Sequence, residues 1–373
     1  MTGIYIHFPF CSGKCGYCDF YSRSDLSSIP AYLAALENQI ESLSALETDS
    51  IYLGGGTPSL LSGSQMGGLF DALMKKISPS AGCEITVEVN PASCGFETLL
   101  AYRRAGVNRL SVGVQTACDA TLKTLLRPHT AKDSRLVLEE AIKAGFDNIS
   151  ADLMLALPGE DTSHIRASIA LLAQCGVSHI SSYLLKISEG TAFGRSLPES
   201  LPDEDSAADL YLFAVSELCD SGYEQYEISN FAKPGFESRH NLKYWNCEDY
   251  IGLGPGAHSS VGAGRYSFPP DLPAYLERFK EPPDSFLSPL REEGAVDSDD
   301  YVMLRLRTNE GLSLNAMKKR FGFAFSEEAE SRIARYEESG LLRLEKDCLR
   351  LTTRGMLVSN SIIAGLLAAS GAP

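Results

Sequence analysis

The sequence predicts an α/β fold of consecutive βα units, forming a parallel barrel or an open doubly wound sheet, followed by a second, smaller module. Three observations predict it. Between residue 3 and about residue 185, six β-like runs alternate with amphipathic stretches. The runs are β-branched and apolar on both faces, as parallel strands covered by helices are. The 373 residues are enough for one large domain and a smaller one, and the pattern changes after residue 298.

The elements follow in order. IYIHF (4–8) precedes a helix around 30–46, and SIYLGG (50–55) precedes one around 64–77. CEITVEVN (83–90) leads to a helix near 95–104. RLSVGVQ (109–115) leads to helical segments near 118–126 and 132–144. NISADLMLAL (148–157) precedes a helix near 162–174, and SHISSYLL (178–185) is the sixth run. A turn-rich stretch follows, then a helix over 205–222 and a region of short strands to 268, rich in aromatics and glycine. The division expected is a barrel over 1–185, its extension over 186–280, a linker over 281–297 rich in proline and charge, and a C-terminal module over 298–373. That module has three helix candidates, the hairpin-like LLRLEKDCLRLT and a last helix, the pattern of a winged helix. Its basic and acidic residues nearly balance, which favours a structural or docking role over DNA binding.

Composition narrows the function. The net charge of −15 argues against nucleic acid as a partner, because neutralising phosphates requires a basic surface. The start, MTGIYIHFPF, lacks the basic region of a signal peptide, so a cytoplasmic protein is expected. No apolar run reaches about 18 residues, so no membrane span is expected, and SIIAGLLAA (361–369) reads as a packed final helix. Seven of the ten cysteines are scattered singly and read as reduced thiols.

The other three form CSGKCGYC (11–18), immediately after the first strand. Structural zinc wants a second cysteine hook, and none is present. A thioredoxin-like pair, Cys15 and Cys18, leaves Cys11 idle. Three thiolates can instead hold three irons of a [4Fe–4S] cube and leave the fourth iron open to an amino acid's amino and carboxylate groups. Gly13 and Gly16 relieve the backbone where the loop wraps such a group. The remaining polar and Gly-rich motifs follow strand ends, which gathers them on the face where parallel barrels build their sites.

The spacing CxxxCxxC, with Tyr17 before the last cysteine, resembles the radical S-adenosylmethionine (SAM) superfamily. More closely, YIHFPFCSGKCGYCDF, LGGGTPS, VEVNP, SVGVQT, DLMLALPGE, HNLKYW and GLGPGAHS together resemble its heme chaperone (HemW) group, a sibling of oxygen-independent coproporphyrinogen III oxidase (HemN). The resemblance runs over essentially the whole chain. It implies a partial (β/α)6 radical SAM barrel with a C-terminal winged-helix-like HemN-type domain. It implies a cluster on Cys11, Cys15 and Cys18, with Tyr5 beside it and Tyr17 against the adenine of SAM. Gly55, Gly56 and Thr57 would free backbone groups for the methionine end, and Glu88 would accept from ribose or ammonium. Gln115, Arg127 and Asp152 match positions that contact a second SAM in the oxidase.

Two departures separate the chain from the oxidase. Phe20 stands where the oxidase has a further cysteine, and the sequence begins ten residues before Cys11, without the oxidase's longer extension. Both are expected of the chaperone. In HNLKYW, His240 offers a nitrogen for heme iron, while Tyr244 and Trp245 offer flat apolar surface. His258 is a second candidate, and His7 reads as structural. The cofactors implied are a [4Fe–4S] cluster, SAM and heme. The partners implied are an electron donor and heme-acceptor proteins, membrane-associated respiratory enzymes among them.

Overall fold

A computed structural model describes residues 1–262 and 264–370. Six parallel strands form its centre: β1 (Thr2–Phe8), β2 (Leu46–Gly55), β3 (Ile77–Val89), β4 (Arg109–Gln115), β5 (Asn148–Leu155) and β6 (His179–Leu184). They pair in sequence order, as right-handed βαβ units do. The crossovers are α1 (Ile29–Glu41), α2 (Gly63–Met74), α3 (Phe96–Arg104), α4 (Asp119–Thr124) with α5 (Ala131–Lys143), and α6 (Thr162–Gln174). Local chemistry fixes where several of these helices start. Ser62 with Gln65, Thr130 with Asp133, and Asp161 with His164 form capping boxes at α2, α5 and α6.

After α7 (Ala192–Arg195) and α8 (Glu204–Asp220), β8 (Asn230–Ala232) adds antiparallel to β6, and β7 (Glu224–Gln225) adds antiparallel to β8. Helix α9 (Arg239–Trp245) follows, and β9 (Tyr250–Leu253) then runs parallel to β1 on its free side. β10 (His258–Val261), β11 (Gly264–Ser267) and, after α10 (Leu272–Arg278), β12 (Arg291–Ala295) complete that edge. The twelve-stranded sheet is open: its two end strands, β12 and β7, each pair on one side only. This is the partial barrel the sequence predicts, with β9 as a seventh parallel strand.

The segment read as a linker over 281–297 therefore contains an edge strand. β12 is REEGA, exposed at every residue and paired through its backbone to β11. A charged, solvated edge carries no alternation of apolar residues to read. The second strand also begins earlier than predicted, at Leu46, where α1 stops at Glu41.

The C-terminal module comprises α11 (Ser298–Arg305), β13 (Leu312–Ser313), α12 (Leu314–Phe321), α13 (Glu327–Glu338), β14 (Leu342–Glu345), β15 (Cys348–Leu351), α14 (Thr353–Leu357) and α15 (Ser359–Ala369). Its strands pair in the order β13-β15-β14, the wing of a winged-helix arrangement. It has its own core, in which Val302, Leu306, Met317, Ile333 and Leu349 meet Ile362 and Leu366 of α15. Among the described residues, no helix is long and apolar enough to cross a membrane.

The barrel's helix-facing core is aliphatic and aromatic, from Ile4 and Phe8 to Leu172 and Ile180. Inside the barrel the chain buries a polar plug. His179 bridges Ser150 and Tyr226, and Arg109, 1 % exposed, reaches Thr86. The histidine is satisfied at both nitrogens, whereas Arg109 Nε is buried without an acceptor among the described residues.

Candidate cluster and cofactor site

The cysteine loop leaves β1 at its C-terminal end and is pinned at both flanks. The Cys11 N–H donates to the Arg23 carbonyl, and the Gly16 N–H donates to that of Leu125. Phe193 of α7 closes over the loop: its N–H donates to the Gly16 carbonyl, and a Cβ at Gly16 would lie 2.4 Å from its ring. The loop is thus held by elements far apart in sequence, with Cys11, Cys15 and Cys18 on one pocket.

The turn after β2 forms the opposite wall. The Gly56 N–H donates to the Phe8 carbonyl at 2.8 Å, and the Thr57 N–H to that of Phe10 at 2.7 Å. A Cβ on Gly56 would fall 2.5 Å from the Phe10 oxygen, so glycine is required for this approach. Gly55 has φ of +102°, and any Cβ there would collide with the His7 ring. The Thr57 hydroxyl lies 3.4 Å from the Cys11 sulfur.

Strand ends supply the polar floor. Glu88 of β3 accepts from the Tyr52 hydroxyl at 2.9 Å and from the Gly55 N–H at 3.0 Å. Its partial burial between strands, reinforced by Asp152, pushes its carboxyl up to about 7. Asp152 of β5 accepts from Ser111, and burial pushes it up to about 6 against the opposing pull of Arg127. The sheet register slips between Val112 and Gln115 on β4, and Gln115 takes φ of +69°. That irregularity aims Gln115 into the pocket, where Tyr183 donates to its side-chain oxygen. Arg127 donates to the Gly113 carbonyl at 2.6 Å and lies 3.5 Å from the Cys15 sulfur. Its Nε is buried without a hydrogen-bond acceptor among the described residues.

The pocket thus joins three thiols, a glycine turn, two carboxylates, an amide and a guanidinium. Two comparisons by sequence bear on it. The radical SAM superfamily matches residues 5–172, and the HemN C-terminal domain matches residues 300–358. The heme chaperone HemW of Bacillus subtilis is 35% identical, over 98% of this chain and 99% of its own length. The chain belongs to the HemW family. A HemW relative of Escherichia coli is 38% identical over 69% of this chain and 70% of its own length. Among solved structures, coproporphyrinogen III oxidase (HemN) from Escherichia coli superposes with a TM-score of 0.84 at 22% identity, covering 98% of this chain and 89% of that one. That likeness is one of fold.

Within this HemW-family chain, the pocket is lined by Cys11, Cys15, Cys18, Tyr17, Gly55, Gly56, Thr57, Glu88, Gln115, Arg127 and Asp152 together. Tyr5 faces an adjoining cavity, where its hydroxyl donates to His7 Nδ1 at 3.0 Å. His240 reaches neither cavity. It is fully buried on α9, with Nδ1 2.9 Å from Ser50 Oγ and Nε2 2.8 Å from the Tyr244 hydroxyl. As placed, neither ring nitrogen is free for iron, contrary to the expectation drawn from HNLKYW. Lys243 of the same segment is buried too, and pairs with Asp49 at 2.9 Å.

Sequence reasoning missed Ser111, Gly113 and Tyr183 in the pocket wall. The signal was present for Gly113, which lies between Val112 and Val114 in a fully buried strand. A Cβ there would sit 2.9 Å from the Arg127 guanidinium.

Proposed function

We propose that this protein is a cytoplasmic heme chaperone that binds heme and passes it to acceptor proteins, on a scaffold holding a [4Fe–4S] cluster and SAM. One observation carries the reading: the cysteine loop, the glycine turn and the polar strand ends line one pocket, in a chain that matches HemW relatives along their length.

The residues fit a cluster. Cys11, Cys15 and Cys18 would each hold one iron. Among the described residues, no three His, Cys, Asp or Glu side chains converge on a single metal ion, which suits a cube whose thiolates bind different irons. The Thr57 hydroxyl and the Arg127 guanidinium stand as donors beside two of the sulfurs. When bound and reduced by a donor, the cluster would supply one electron to the SAM sulfonium.

The chain's own groups would do the rest. Glu88 would accept from the ammonium or ribose of SAM. Tyr17 would lie against the adenine. Gly55, Gly56 and Thr57 would leave room for the methionine end. Gln115, Arg127 and Asp152 would bind its remaining polar groups. Phe20, 63 % exposed at the pocket's rim, stands where the oxidase has a cysteine, which favours carriage over decarboxylation.

The test is anaerobic reconstitution followed by three measurements on one preparation. The cluster's magnetic spectrum should respond to SAM and vanish in Cys11→Ala, Cys15→Ala or Cys18→Ala. Hemin should bind with a defined Soret band. Coproporphyrinogen III should remain unchanged; its stoichiometric decarboxylation would make the protein an oxidase instead.

A further inference from the structure

Gln115 is held in the cluster pocket by a residue that no motif includes. It is 4 % exposed and takes φ of +69°, a strained backbone conformation for a residue other than glycine. Such strain persists only where the surroundings hold it. The Tyr183 hydroxyl donates to Gln115 Oε1 at 3.2 Å. Tyr183 lies on β6 and Gln115 ends β4, so this bond reaches across β5. The Tyr183 ring packs on a small apolar cluster of Leu125, Met154, Leu157 and Phe193, which fixes where its hydroxyl stands.

That bond decides which end of the amide meets a ligand. With Oε1 held by Tyr183, Nε2 points the other way and has no acceptor among the described residues. A Cβ on Gly113 would sit 3.0 Å from that nitrogen and 2.9 Å from Arg127 Nη2, so two N–H groups converge over one glycine. Arg127 donates from Nη2 to the Gly113 carbonyl, and its Nε is buried without an acceptor. The pocket's carboxylates face other donors. Glu88 accepts from Tyr52 and Gly55, and Asp152 accepts from Ser111 while feeling the Arg127 charge at a distance. An amide turns over readily, because its two ends have the same shape and its last torsion is soft. Turned over, Gln115 would aim Oε1 at Arg127, and the guanidinium would be answered by the chain itself.

We propose that Tyr183 is a positioning residue: by holding Gln115 Oε1 it keeps the amide nitrogen beside the Arg127 guanidinium, as a paired donor for an oxygen of bound SAM. The inference rests on the SAM reading of this pocket and adds to it a residue that the cysteine, glycine and carboxylate motifs leave out. Without the Tyr183 hydroxyl, Oε1 is free to rotate onto Arg127 and occupy the donor that the ligand needs. The influence of Tyr183 on the ligand therefore passes through Gln115.

The test is a double-mutant cycle on SAM binding. It is read by titration calorimetry of the anaerobically reconstituted full chain and by the response of the cluster's magnetic spectrum to SAM. Tyr183→Phe keeps the ring in its apolar seat and removes only the hydroxyl, so cluster content should equal that of wild type. We expect it to weaken SAM about fivefold, the loss of one organised hydrogen bond, and Gln115→Ala to weaken SAM at least as much. Introduced into Gln115→Ala, Tyr183→Phe should change affinity by less than about twofold, because the group it positions is gone. Equal losses in the two backgrounds would overturn the proposal and make Tyr183 an independent wall contact. A Tyr183→Phe variant that binds SAM like wild type would overturn it too, with the SAM reading intact, and one that cannot hold the cluster would make the residue structural. If wild type itself shows no response to SAM, the reading beneath the proposal fails.

Discussion

Glu88 sets the electrostatics of the pocket beneath the cysteine loop, where SAM is proposed to bind. It is ringed by two donors, Tyr52 and Gly55, that favour its charge, yet partial burial and Asp152 oppose it more strongly and push its carboxyl up to about 7. A cationic ligand favours the ionised form. Below pH 7 its binding must therefore expel a proton and weakens; above pH 7 that cost disappears. From pH 7.5 to pH 6 the ionised fraction of such a group falls roughly eightfold, and SAM affinity should fall with it. Isothermal titration of the reconstituted protein across that range checks the slope. Glu88→Gln should bind SAM more weakly at pH 7.5 and lose most of the pH dependence. A slope that survives the substitution would assign the effect to another group, Asp152 first.

Helix α9 teaches a lesson at the scale of elements. HNLKYW reads as a metal-binding segment because a histidine lies near aromatics, but its partners are remote in sequence. Ser50 lies on β2, and Asp49 beside it holds Lys243. No local pattern reveals such contacts. The segment still shapes the cavity beside the cluster pocket, because His240 holds Tyr244, and Tyr244 lines that cavity. His240→Ala should therefore lower stability by about 1–3 kcal/mol, the usual cost of stranding buried partners, and leave the Soret band of bound hemin unmoved; a moved band would return His240 to the role of ligand. The six central strands were legible because each is a short run of β-branched and apolar residues between turns; in RLSVGVQ, buried throughout, Leu110, Val112 and Val114 join the helix-facing core and alternate with Arg109, Ser111 and Gly113. Most of the pocket residues named from sequence were legible because they close a strand or open the loop beyond one; Arg127, between α4 and α5, and Asp152, within β5, came from the family resemblance. Two-residue β7 and the charged β12 were not, because backbone pairing alone defines them, and four-residue β9 is too short for its buried Ile251 and Leu253 to show a period. Tyr5 was read toward the cluster; its actual cavity depends on β9 and β10, which no residue near Tyr5 encodes.

At the scale of the whole molecule, two hydrophobic cores meet across a joint where Leu357 packs on the barrel core, Ile228 and Cys247 pack on the module's core, and polar groups do the rest. The Ile228 N–H donates to the Arg307 carbonyl, and the Asn309 N–H to that of Tyr226, so a loop of the barrel and the end of α11 are stitched by their backbones. Arg320 donates to the carbonyls of Asn246 and Cys247, at the end of α9. Arg305 is the central side chain. It is 8 % exposed, donates to the Gly311 carbonyl and to Asn246, and pairs with Glu310 at 2.9 Å. Its chain links the C-terminal module to α9, which in turn holds Tyr244 in the cavity wall. Removing it leaves buried acceptors without donors, each costing about 1–3 kcal/mol. Arg305→Ala should therefore destabilise the protein by about 2–4 kcal/mol and separate the C-terminal module's unfolding from that of the barrel, giving two calorimetric transitions where wild type gives one. Lys280→Ala is the control: its pair with Glu277 is exposed on both sides, and its loss should move stability by no more than about 0.5 kcal/mol. SAM binding at low temperature should survive Arg305→Ala, because no residue lining the pocket beneath the cysteine loop lies in the module. Two transitions already present in wild type would mean that the joint does not couple the cores, and a loss of SAM binding in the variant would mean that the module supports the pocket as well as the cavity.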